Sequence, residues 1–173
     1  IDAEPVEPTL TLGSWAIWPE PLEQAGPRVL AQRFAEEVLG WHDAVIVLDP
    51  DAGEDAPTWV TLTDSQGHEL KILATPVGGD GWGILQIGSP TGLGVAPLGY
   101  ASIAPEAVVG AAQATIHAAD SHGTTRAWRA DLMERPGTIV LQSVQASNIQ
   151  TLLVTYQNAD GYTVAASGGQ FGP

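Results

Sequence analysis

A chain of 173 residues with 20 acidic and only six basic side chains carries a formal charge of −14, and a field of that sign repels nucleic acid and anionic membrane surfaces, which are gripped by Lys/Arg patches. The absence of cysteine excludes disulfides, thiol catalysis and thiolate metal sites, and no apolar run approaches the roughly 20 residues that span a bilayer. With 44% hydrophobic residues, 20 Gly and 13 Pro, the composition is that of a turn-rich globular β protein and not of a disordered one.

The opening segment from Ile1 to Thr9 is acidic and proline-spaced, which predicts an extended stalk without regular structure. A stalk at a start lacking Met predicts a mature, extracytoplasmic form from which a signal peptide or membrane anchor was removed. Trp15 and Trp18 follow in a proline-flanked arm outside any strong element. Two readings stand for them: packing back on the domain, or presenting a flat aromatic surface to a sugar or peptide.

The clearest helix runs from Pro27 to about Leu39, where Leu30, Ala31, Phe34, Ala35 and Val38 recur at one-turn spacing. Gly26-Pro27 starts it, and Gly40 supplies a left-handed stop with Trp41 poised to fold back. Four strands are predicted next: Ala44 to Leu48, Thr58 to Thr63, Glu69 to Thr75 and Trp82 to Ile87, separated by Asp- and Gly-rich turns. One helix followed by an antiparallel meander resembles, in element order, the helix-on-sheet cones of the cystatin and nuclear-transport-factor-2 superfolds. The likeness carries no motif and implies no function.

The Gly- and Pro-rich stretch that follows predicts a connector, and its apolar Leu93, Val95, Leu98, Tyr100 and Ile103 predict that it packs against the rest. Strands are then expected at Val108 to Ala118, Thr124 to Ala130, Thr138 to Ser143, Ile149 to Gln157 and Tyr162 to Ser167, the last two joined by the hairpin signal Asn158-Ala-Asp-Gly161. Residues Thr125 to Arg135 fit either a strand or a short helix ended by Pro136. The fold class is therefore α+β followed by all-β: an N-terminal helix packed on an antiparallel meander, then a small immunoglobulin-like β-sandwich. The expected divisions are a stalk and Trp arm over 1–22, the helix-and-sheet domain over 23–88, the connector over 89–106 and the sandwich over 107–173.

No contiguous catalytic motif is present. Ser167 precedes two glycines, but a tail follows them instead of the helix that a nucleophile elbow requires. Twenty acids make chance carboxylate pairs common, so glycosidase chemistry has no specific signal. Asp49, Asp51, Glu54 and Asp55 are the best calcium candidates, although Gly53 stands where the EF-hand pattern places an oxygen ligand. His117 and His122 flank Asp120 without a fourth zinc ligand and are expected at strand ends or the surface. Trp59, Trp82 and Trp128 are expected in the core.

These observations predict a non-enzymatic extracytoplasmic module without a cofactor, the soluble region of a lipoprotein or membrane-anchored cell-envelope protein that binds a protein or envelope polymer. A second reading is a small-molecule binder or hydrolase whose pocket lies between helix and sheet in the front half, unless Phe34, Val38, Leu62 and Ile72 fill that space. A third is carbohydrate binding through Trp15 and Trp18.

Overall fold

The computed structural model describes all of the chain except residues 14–15, 52, 54, 78–80, 90–91, 96–98, 106–107, 133–136 and 172–173. Among the described residues the protein is mainly β, with strands over 52% of them and one short α-helix. The segment expected to be a structureless stalk instead forms β1 (Asp2–Val6). Ala3 is buried while Asp2 and Glu4 face solvent, a two-residue alternation that the proline spacing masks. Its strand character comes from distant partners, Arg129 to Ala127 on one side and Val140 to Leu141 on the other.

After β2 (Trp18–Glu23), Gly26 at φ 96° leads into α1 (Pro27–Arg33), with proline in the first turn. The helix continues as a π-helical segment, Phe34–Leu39, and ends at Gly40, whose φ of 72° a side chain would strain. The Trp41 N–H then reaches back to the Ala35 carbonyl at 2.7 Å. Outside the core, Arg33 bonds both Glu23 and Glu37 at 2.7 Å, and its hydrogen bond holds the Glu23 carboxyl below its ordinary range.

The helix lies on a meander of β3 (Val45–Leu48), β4 (Thr58–Thr63), β5 (Glu69–Val77) and β6 (Gly81–Ile87), each antiparallel to the next. Val60, Leu62, Ile72 and Ile84 point into a core with Leu30, Phe34 and Leu39. The opposite face carries Trp59, which is 39% exposed, because the alternation that buries Val60 and Leu62 turns Trp59 outward with Thr61 and Thr63. Trp59 is thus not a core residue. Trp82 is half-buried and Trp128 is buried.

Beyond β6 come β7 (Gly92–Val95), β8 (Ala101–Ala104), β9 (Gln113–Asp120), β10 (Thr125–Asp131), β11 (Ile139–Leu141), β12 (Ile149–Gln157) and β13 (Thr163–Gln170). The pairing runs β3-β4-β5-β6-β13-β12-β9-β10-β1-β11-β8-β7, with β2 as a branch on β6. The stretch expected as a connector thus contributes two strands, and Ala101 and Ile103 join a second core. Of the segment open to either conformation, Thr125–Asp131 is strand; its end lies outside the described residues. Alternate residues of β9 and β12 enter different cores: Ala119 and Leu153 join the helix, while Ile116, Ala118, Leu152 and Val154 join the second core. One sheet therefore serves as a wall of both.

Candidate functional site

The sequence-predicted candidates are scattered. Trp18 is 4% exposed and packs edge-on against Phe34, with ring centroids 5.7 Å apart and the Arg33 guanidinium 5.1 Å from the indole. It is a packing residue, and Trp15 lies outside the described residues. Asp49, Asp51 and Asp55 are exposed on the loop between β3 and β4, while Glu54 lies outside the described residues. Asp49 Oδ1 accepts the Asp51 N–H at 3.0 Å, an ordinary Asx turn, and no three potential ligands converge on a metal position among the described residues. His122 sits exposed on the β9–β10 turn, whereas His117, expected near the surface, is buried in mid-strand because it faces the arm that crosses β9. The space between helix and sheet is occupied: Phe34, Leu62 and Ile72 are fully buried there, with Val38 packed against them.

The acidic loop gains a context the sequence does not show, because it continues directly from β3, where the order of strands ends. Asp49 N–H bonds the Trp59 carbonyl at 3.2 Å. By the alternation of an antiparallel ladder, Val45 and Val47 then direct their backbone groups to β4, and Ile46 and Leu48 direct theirs to the open side. The Arg28 side chain donates to the Ile46 carbonyl at 3.2 Å, as that orientation requires. Val45 is 61% exposed and Val47 56%, and the register sets them on the outer face with Thr61, Thr63 and Trp59. From Ala44 to Leu48 there is no charged residue. Natural edge strands carry charge, proline or a cover that prevents association, and among the described residues this one carries the side-chain hydrogen bond from Arg28. Exposed Asp43, Asp49, Asp51 and Asp55 flank it along the chain, and Glu69 and Lys71 lie two strands away on the same outer face.

A polar cluster with no signal in the sequence lies at the β4–β5 turn. Asp64 Oδ1 accepts the Gln66 and His68 N–H groups at 3.0 and 2.7 Å, and Oδ2 meets the His68 ring at 2.7 Å and accepts the Tyr162 hydroxyl at 2.5 Å. Burial raises the Asp64 pKa, but the bonds from Tyr162 and His68 outweigh it and hold the carboxyl below its usual range. Burial, and then the hydrogen bond to Asp64, push Tyr162 up to about 12. Trp41 stacks near His68 and donates to the Thr163 carbonyl at 2.8 Å. A carboxylate with an imidazole resembles half of a hydrolytic triad, yet no hydroxyl nucleophile bonds the imidazole among the described residues. The cluster ties the β4–β5 turn to the β12–β13 hairpin. Tyr162→Phe is expected to cost about 1.5 kcal/mol in urea unfolding, the scale of a hydrogen bond to a charged group; an unchanged midpoint would show that the tie contributes nothing.

Among the described residues no helix is long and apolar enough to cross a membrane. Comparison of the chain with protein-family models, with curated proteins and with solved structures finds no match.

Proposed function

We propose that the chain is a non-enzymatic extracytoplasmic binding module whose partner is an extended, basic segment of another protein, added as a strand to the β3 edge. The observation that carries this reading is the uncharged run Ala44 to Leu48 at the end of the sheet, with Val45 and Val47 exposed. Strand addition takes affinity from main-chain bonds, here to Ile46 and Leu48, and specificity from alternate side chains, here against Val45, Val47 and Trp59. The acidic rim selects a cationic partner. Two copies of this chain, each at −14, repel one another, which disfavours pairing of β3 with itself.

Two separate cores support a division into a helix-on-meander unit and a sandwich-like unit that share β9, β12 and β13. The placement in a cell envelope, as the soluble region of a lipoprotein or anchored protein, is part of the same proposal. Protease accessibility on intact cells tests that placement, and complete protection would refute it. A ligand pocket beneath the helix draws no support, because its space is packed.

The binding test uses a peptide of about eight residues, long enough for one strand, with alternating Lys and Val. Hydrogen exchange at the Ile46 and Leu48 amides is expected to slow when it is added, and a Glu/Val peptide is expected to have no effect. Val47→Lys should weaken binding by about tenfold or more through charge repulsion and lost apolar contact, with the circular dichroism unchanged. Equal protection by the acidic peptide, no protection by the basic one, or a dimer abolished by Val47→Lys would overturn the proposal.

A further inference from the structure

A second surface, six strands away from β3 in the pairing order, has the features of a small-molecule site. A pocket of about 410 Å³ opens between the β9–β10 turn and the segment after β11, lined by Asp120, His122, Arg126, Ser143, Gln145 and Asn148 among others. Its volume is in the range of ligand pockets, roughly 300–1,000 Å³. Almost every group on its wall is polar, which suits a hydroxyl-rich ligand and not an apolar one.

The wall is rigidly built. Ser143 adopts φ 71°, the one positive value outside glycine among the described residues, a conformation that persists only where the surroundings impose it. Three consecutive carbonyls are held from two strands, β10 and β8: Gln142 by the Trp128 indole at 3.2 Å, Ser143 by Arg126 Nη1 at 2.9 Å, and Val144 by the Ala101 N–H at 2.7 Å. Arg126 is fixed at one nitrogen and forms no ion pair among the described residues. Asp120 lies on the same wall but outside ion-pair distance of it.

We infer that this pocket binds a hydroxylated monocarboxylate of the sugar-acid class, with Arg126 receiving the carboxylate and Gln145, Asn148 and the Ser143 hydroxyl meeting the hydroxyls. A planar guanidinium matches a carboxylate through paired N–H donors. Asp120 decides between a monoanion and a dianion. One of its oxygens accepts the His122 and Thr124 N–H groups at 2.9 and 3.0 Å, and its charge opposes that of Arg126 on the same wall, which disfavours a dianion such as phosphate.

Titration with sodium D-glucuronate to about 20 mM, in the range where a single charge-assisted contact yields millimolar binding, is followed by amide NMR. Shifts are expected over residues 120–126 and 143–148, with none for D-glucose and smaller ones for inorganic phosphate. Arg126→Gln should weaken binding by about tenfold or more. Arg126→Lys keeps the charge but not the fork and should give an intermediate loss, so a folding defect cannot imitate the pattern. Absence of shifts, equal shifts with glucose or phosphate, or unchanged binding in both variants would overturn the inference. The β3 proposal is independent of each of these outcomes.

Discussion

Gly168→Ala is expected to destabilise the protein by about 3 kcal/mol, the upper end of the usual range for overpacking, and to lower the melting temperature by about 6–12 °C for a chain of this size. Gly168 is buried on β13 and is the residue through which that strand registers with Ile87 of β6. A Cβ there would meet the Leu152 carbonyl oxygen at 2.5 Å, the Leu153 Cα at 3.3 Å and Ile87 Cδ1 at 3.4 Å. The first two are backbone of the adjoining central strand, which cannot yield as a flexible side chain would. Relief requires separating β12, β13 and β6 where the two cores adjoin. Gly92→Ala is the control, since nothing stands within 4 Å of a Cβ there. Calorimetry should show the Gly92 variant near the wild type and the Gly168 variant melting well below it; equal melting temperatures would mean that the β6–β13 seam is looser than its geometry.

The difference between what the sequence reveals and what it hides follows the range of the interactions. The β12–β13 hairpin is legible because its turn is local: Gly161 takes φ 86° and Asn158 Oδ1 accepts the Asp160 and Tyr162 N–H groups at 3.0 Å. The meander is legible for the same reason, with Val60 and Leu62 alternating against Trp59 and Thr61. β1 is not, because Asp2 to Val6 becomes a strand only through β10 and β11, more than a hundred residues away. The Asp64–Tyr162 bond joins residues 98 positions apart, and no spacing rule reaches that far. The candidate surface divides along the same line. The apolar run at β3 and the acids after it are plain in sequence, but whether such a run is a covered central strand or an open edge is a property of pairing.

His117 shows the same dependence on distant partners, and its chemistry makes stability depend on pH. It is 3% exposed, and burial alone lowers its pKa from 6.5 to about 4. Nε2 lies 3.3 Å from the Thr9 N, which donates to it, while buried Nδ1 has no hydrogen-bond partner among the described residues. The folded state therefore keeps the ring neutral, with Nε2 as acceptor for the arm that also anchors through the Leu12 N–H on Thr125 Oγ1 at 3.0 Å. Between pH 6.5 and about 4 the unfolded chain binds a proton there that the folded chain does not, so stability falls as pH falls. The slope is about 1.4 kcal/mol per pH unit and the total loss on the order of 3 kcal/mol. Asp64 and Glu23, whose pKa values are lowered on folding, stabilise the fold above their ordinary carboxylate range. Their contribution is lost only as pH falls below that range, which separates most of the two effects. Urea unfolding at closely spaced pH values should show this slope in the wild type from pH 6.5 to 4.5 and its disappearance in His117→Phe. The same slope in both proteins would mean that His117 gains a proton as readily when folded as when unfolded, and hence that the arm does not seal it from water.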